Sequence, residues 1–287
     1  MKSLVNNITV LNQQIYFENL KRLESKPYKS FFKKDMYLNN EIIKHVQSGE
    51  LPFDKITHPN PDDFNEMLKG NLWKTTGYSV LENGTLYSAS HTKFPNCTAE
   101  MFEWWFWWHS VESERYALWY PYCHVSIEAK NKEVLEDSKL DHREKYIGNT
   151  HIITEYLNDA KNDIEIKFVP PEAFGFEKEV LENAGITASA CGYVYSQKPK
   201  AKICEMIHLF KETKEGGELI SRYYVGENMA ALVGSKEIKL PEFLKKKLLN
   251  SNASGIQMAY EQVMHDQIEF THLASMLPEL FKEFGKK

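Results

Sequence analysis

The stretch that most limits the fold is Gly255–Phe284, thirty residues at helical spacing placed after a series of strand-like segments. A helix this long must lie against something. Met258, Val263, Met276 and Leu280 give it an apolar face. His265 and Glu269 stand on that face one turn apart. Burying either one without a partner is costly, and a divalent metal would serve both. A His–Glu pair on a solvated face is the plainer reading of the spacing alone, because short motifs recur by accident.

What precedes the helix decides what it lies on. Tyr122–Ala129, His151–Asn158, Ile164–Val169, Thr187–Ser196, Ala201–Glu212 and Leu219–Gly226 alternate as strands do. Short turns such as Asn162-Asp163 and Glu215-Gly216-Gly217 join several of them, which favours an antiparallel meander. The fold class expected is α+β: a curved antiparallel sheet gripping one long C-terminal helix, with a ligand-sized cavity between them. Before this lies a smaller, mainly helical part. Residues 11–50 have helical spacing, and Tyr78–Ser88 reads as a hairpin turning at Asn83-Gly84. A boundary near Pro95 divides the chain into 1–95 and 96–287.

Thr98 is a good N-cap for Met101–His109, a segment holding four of the six tryptophans. Aromatic residues all round a helix must be substantially buried, as core or as the wall of a pocket for a flat ligand. The four cysteines form no close pair, which leaves buried thiols as the default and any metal to histidines and carboxylates. A net charge of −5 argues against a nucleic-acid surface. No apolar run suits a signal peptide or a membrane span, so a cytoplasmic protein is expected.

Strand alternation supplies partners for the helix pair. His124 shares a strand face with Tyr122, Ser126 and Glu128, Glu155 with His151, Ile153 and Leu157, and His208 with Cys204, Met206 and Phe210. If these faces meet the cavity, His124 and Glu155 lie opposite His265 and Glu269, and two imidazoles with two carboxylates suit Zn²⁺ or a similar ion. Glu261 and His272 are rival ligands by spacing, and His109 and His142 are further imidazoles. Each strand residue taken alone reads equally as a solvent-facing polar position.

The segments Glu103–Ser110 (EWWFWWHS), Glu114–His124 (ERYALWYPYCH) and Met206–Leu209 (MIHL), with His265-x-x-x-Glu269, resemble the diacetylphloroglucinol/phloretin hydrolase family. The likeness covers roughly residues 70–285. It implies the helix-grip fold of the birch-pollen allergen with a small N-terminal domain added. It also implies zinc-dependent hydrolysis of the carbon–carbon bond between an acyl group and a phloroglucinol ring. On that resemblance the metal ligands are His124, Glu155, His265 and Glu269, and the active-site histidine is His208. The tyrosines holding ring hydroxyls are Tyr116 and Tyr223, with Tyr224 the rival because a one-residue register change exchanges their faces. An Asn that the diacetylphloroglucinol enzymes carry after the first metal histidine is replaced here by Ser126 and Ile127. With the lysine-heavy composition, this favours phloretin as substrate over diacetylphloroglucinol. A polyphenol is the partner expected, and a homodimer is compatible with the N-terminal helices. The reading of a different class is a non-catalytic helix-grip carrier of aromatic ligands, which would have no reason to retain stoichiometric zinc.

Overall fold

The computed structural model describes residues 2–6, 8–234, 236–250 and 255–285. The chain opens with β1 (Lys2–Leu4), α1 (Val10–Arg22), β2 (Tyr37–Asn39), α2 (Asn40–Gln47) and α3 (Pro61–Lys69). The helix expected over 11–50 is therefore two helices. Leu23 caps the first, and Pro27, which has no N–H to give a helix, follows in the irregular connection.

The hairpin at Asn83-Gly84 is present, formed by β3 (Gly77–Val80) and β4 (Leu86–Pro95). Then come α4 (Ala99–Trp108), α5 (Ser113–Trp119), β5 (His124–Ala129), α6 (Lys132–Glu136), α7 (His142–Tyr146), β6 (Thr150–Leu157), β7 (Ala160–Val169) and α8 (Lys178–Asn183). The remainder is β8 (Ile186–Ser189), β9 (Cys191–Gln197), β10 (Lys200–Thr213), β11 (Gly216–Val233), β12 (Lys236–Lys239), α9 (Glu242–Asn250) and α10 (Gly255–Phe284). The strand expected over Thr187–Ser196 is interrupted at Ala190, whose N–H donates to the His208 carbonyl at 2.9 Å.

One antiparallel sheet runs β3-β4-β11-β10-β9-β7-β6-β5, with β12 on β11 and β8 on β10. The boundary expected at Pro95 does not separate two sheets. β4 pairs with β11 from Leu86↔Val225 to Pro95↔Gly216, so residues before and after the boundary share one hydrogen-bonded ladder. The helix-grip expectation holds in the strand order and in α10, about 45 Å long at 1.5 Å per residue, which packs along β3 and β4. Ser88 Oγ donates to the Ala259 carbonyl at 2.9 Å, and the Gln267 amide donates to Thr92 Oγ1 at 3.0 Å. These bonds tie the helix to β4 on either side of His265.

The sheet is covered on both faces where β4, β11 and β10 run. On the concave face Trp104, Trp105, Phe106 and Trp108 of α4 pack with Phe270, Leu273 and Leu277 of α10. On the convex face Phe64, Trp73, Tyr87, Ile207, Leu209 and Tyr224 form a second core beneath α3 and α8. All four cysteines are free and buried. Among the described residues no helix is long and apolar enough to cross a membrane.

Candidate active site and metal centre

Between the concave face and α10 lies a cavity of about 660 Å³. Its mouth is formed by Leu157, Ala160, Asn162, Gln257 and Glu261, and its depth by Phe106, His109, Trp119, His151 and Phe168. The tryptophans of α4 are core rather than wall. That helix reaches the cavity through Phe106, and Trp119 of α5 supplies the indole.

His124, Glu155, His265 and Glu269 converge on one side of this cavity. Ligand atoms of His124, Glu155 and His265 all lie within 4.8 Å of one another. Glu269 Oε2 is 3.3 Å from His124 Nε2 and 3.7 Å from His265 Nε2, and Glu155 Oε2 is 3.8 Å from His124 Nε2. Two local features bring them together. α10 places His265 and Glu269 one turn apart, and β5 pairs His124 directly with Glu155 of β6.

Strand alternation was right about Glu155 and only half right about His124. A β-bulge between His124 and Ser126 inserts one residue. Beyond it the inward positions are Ile127 and Ala129, not Ser126 and Glu128.

The hydrogen bonds fix how His124 is protonated. Its Nδ1 lies 3.2 Å from the Tyr116 carbonyl, which can only accept, so Nδ1 carries the proton and Nε2 keeps a bare lone pair. That buried Nε2 has no hydrogen-bond partner and faces two carboxylates. A lone pair facing carboxylates is repulsive unless a cation lies between them. Burial and the neighbouring His265 hold His124 well below the usual imidazole range, and burial brings His265 down to about 4. Burial raises Glu155 and, with the charges of Asp266 and Glu155, pushes Glu269 well up. Glu155 lines the cavity, and Tyr116 Oη donates to its Oε2 at 2.5 Å while the Tyr116 ring stacks on His124 at 3.9 Å. Neutral imidazoles and carboxylates this close together, with His124 and Glu155 both held by Tyr116, are a donor set that fits a divalent metal.

His208 of β10 and Tyr223 of β11 line the same cavity. Tyr223 Oη donates to Asp266 Oδ1 at 2.8 Å and lies 3.2 Å from His208 Nε2, while His208 Nδ1 is 2.9 Å from Ser221 Oγ. With the Tyr223 O–H directed at Asp266, its oxygen accepts from His208 Nε2–H, and His208 accepts from Ser221 at Nδ1. The register question is answered by position: Tyr224 points to the convex core and donates to the Thr57 carbonyl at 2.9 Å.

The sequence matches the DAPG hydrolase PhiG domain over residues 59–282. It is 34% identical to a 2,4-diacetylphloroglucinol hydrolase of Pseudomonas protegens over 281 residues, 95% of this chain and 89% of that protein. The chain belongs to the diacetylphloroglucinol hydrolase family. It is therefore an enzyme, a hydrolase. It is also 27% identical to the phloretin hydrolase of Eubacterium ramulus over 265 residues, 89% of each chain. Solved structures with some likeness include Ara h 8.0201 (12% identity, 63% of this chain and 99% of that one, TM-score 0.31). Another is a Staphylococcus aureus protein of unknown function (11% identity, 67% and 96%, TM-score 0.32).

The rival ligands fall away from the centre of this family member. Glu261 sits at the cavity mouth, bonded to Asn158 and Gln257. His272 is buried one turn past Glu269 against the Leu118 backbone. His142 stacks on Trp107 at 5.0 Å, outside the cavity. Sequence reasoning placed His151 on the Glu155 face without giving it a role, and missed Asp266 and Ser221 as the partners of Tyr223 and His208. The signal for His151 was its parity with Glu155, and that for Asp266 was its place beside His265.

Proposed function

We propose that this chain hydrolyses the aryl–acyl carbon–carbon bond of a C-acylated phloroglucinol, with zinc held by His124, Glu155, His265 and Glu269. The observation that carries the reading is the approach of His124, Glu155 and His265 ligand atoms to within 4.8 Å of one another, with Glu269 Oε2 3.3 and 3.7 Å from the two imidazoles, beside an apolar cavity. Family membership supplies the reaction class. Zinc there would supply Lewis acidity to an acyl carbonyl and to water.

The protein's own groups do the rest. The acyl-bearing ring carbon must gain a proton, and the acyl carbon must gain hydroxide. Phloretin plus water then gives phloroglucinol and 3-(4-hydroxyphenyl)propanoic acid. His208 is the proton donor in this reading, delivering from Nε2, the atom that faces the cavity. Burial holds the free imidazole at about 3 and therefore neutral. With substrate bound, His208 takes the tautomer whose Nδ1–H donates to Ser221 Oγ, so that Nε2 has the lone pair to accept a ring hydroxyl's proton and then deliver it, and the phenolate left behind supports the imidazolium. Tyr116 and Tyr223 orient the ring hydroxyls, and Phe106, Trp119 and Phe168 keep water from the ring.

Phloretin remains the preferred substrate, supported by a cavity whose apolar lining (Ile164, Ile166, Val194, Ile203, Val225) suits an arylalkanoyl arm. Diacetylphloroglucinol is the second reading, favoured by the higher identity to enzymes named for it, 34% against 27%. Incubation with each compound, with products read by mass and zinc content measured alongside, tests both. Cleavage of neither by zinc-replete protein would overturn the proposal.

A further inference from the structure

Beyond the metal, the cavity ends in two imidazoles with no established task. Along β6 the inward side chains run Leu157, Glu155, Ile153, His151 from mouth to floor, and His151 is 0% exposed. Both of its ring nitrogens lack any hydrogen-bond partner. His109, 2% exposed, stands beside it with ring centroids 6.4 Å apart and planes at 84°. Its Nδ1 lies 2.6 Å from the Trp105 carbonyl, so that nitrogen carries the proton and Nε2 remains an acceptor. Burial takes His109 to about 4 and His151 to about 3, so both rings are neutral at working pH. The rest of the floor is aromatic: Phe106, Trp119 and Phe168.

Neutral His151 must offer one N–H and one lone pair, and His109 offers a lone pair. The rings make no hydrogen bond to each other, and both line the cavity, where a ligand oxygen can reach them. A hydroxyl is the group that donates to one ring and accepts from the other. An unmet donor and acceptor in an apolar floor are costly until such a group arrives.

We infer that His109 and His151 form a deep subsite that binds a phenolic hydroxyl of the substrate. This rests on the reading of the chain as a C-acylphloroglucinol hydrolase, and it names which substrate group reaches the floor. Two hydroxyls qualify. One is the ring hydroxyl para to the acyl-bearing carbon, which points away from a carbonyl held at the metal centre. The other is the terminal phenol of an arylalkanoyl arm. The span fits the first: Glu155 and His151 are four residues apart on a strand, about 13 Å, which an acylated ring with a polar contact at each end fills.

The test is binding of three ligands to zinc-loaded wild type, His151→Phe and His151→Gln by calorimetry. The ligands are phloretin, its analogue lacking the terminal phenol, and its analogue lacking the para ring hydroxyl. His151→Phe should weaken phloretin about tenfold, the worth of one buried hydrogen bond, and His151→Gln should recover part of that. If the ring hydroxyl docks, the penalty disappears only for the analogue lacking it. If the arm phenol docks, it disappears only for the other analogue. An equal penalty for all three ligands overturns the subsite and leaves His151 a packing residue. Phloretin turnover by wild type is measured in parallel. Its absence would count against the hydrolase reading, whereas the binding differences judge the subsite alone.

Discussion

Two tyrosines side by side on β11 show how differently the two faces of the sheet are built. Tyr224 and its neighbour Arg222 face the convex core, where the phenol donates to Thr57 and the guanidinium to the carbonyls of Leu72 and Ser221. Those polar groups answer to backbone that will always be there. Tyr223 lines the cavity and, with Ser221 on the same strand face, bonds Asp266 and His208, side chains with spare capacity. Nitrogens of His124 and His151 and one oxygen of Asp266 are buried there without a partner. Arg222 Nε and Thr57 Oγ1 on the convex side also lack partners, so what sets the other face apart is that unmet groups such as the His151 nitrogens open on a space a ligand can enter. That difference locates function more firmly than burial does, because both faces are equally buried.

Breaking the metal centre should have the largest effect. His265→Ala or Glu155→Ala is expected to lose zinc and at least about 10³ in kcat, since metal assistance is worth several kcal/mol. Retained zinc with full activity in either variant would sink the assignment. Glu269→Gln sharpens the point. It removes a negative charge that burial and the neighbouring Asp266 and Glu155 disfavour, so the metal-free protein should be no less stable while activity falls to a similar extent.

The buried histidines should also make the protein sensitive to acid. Burial lowers His109, His151, His208 and His272 to about 4, 3, 3 and 4. Above an unfolded value near 6.5 each is neutral in both states and costs nothing. As pH falls below that, the unfolded chain takes protons that the folded chain refuses, and stability drops by up to about 1.4 kcal/mol per pH unit for each histidine. Urea melts of metal-free protein at pH 7 and pH 5 measure this, and His151→Phe should reduce the slope by about one proton. A flat profile between those pH values would mean that these rings are not held neutral by burial.

The tyrosine pair gives a cleaner contrast at smaller cost. Tyr223→Phe should lower kcat/KM by about 10- to 100-fold with little change in melting, since its hydroxyl serves groups in the cavity. Tyr224→Phe should cost about 1 kcal/mol of stability and leave kcat/KM unchanged, because it strands a buried carbonyl. The opposite pattern would reverse the assignment of faces.

How much of this could be read from the sequence follows from what each feature depends on. His265 and Glu269 were legible because a helix fixes four-residue neighbours regardless of context. The cavity face of β6 was legible because Glu155, Ile153 and His151 keep strict alternation. His124 was reached by alternation, but its neighbours were misassigned. Nothing in Val125-Ser126 announces a bulge, which arises where β5 must curve to meet β6. Tyr223 against Tyr224 stayed open because one step of register exchanges them, and only pairing with β10 and β4 settles it. The boundary expected near Pro95 falls at the end of the β4–β11 ladder. A loop of punctuating residues looks the same whether it separates two bodies or joins α4 to a strand inside one sheet.

The smallest effect tests whether a strained acid means a functional one. Glu103 of α4 is also pushed up, to about 7, by burial that Arg143 opposes only in part, yet it lies outside the cavity. Its folded value exceeds the unfolded one, so its contribution is greatest below about pH 4.5 and is lost as pH rises through 7. Glu103→Gln should then stabilise the protein at pH 8 by about 1 kcal/mol, allowing for partial exposure, and by less at pH 5, with activity unchanged. Glu155 and Glu269 carry the same kind of strain but point at a common centre with His124 and His265, and neutralising them should cost activity. If Glu103→Gln instead impaired turnover, strain alone would mark function here, and the convergence of side chains on one point would lose its standing as the deciding observation.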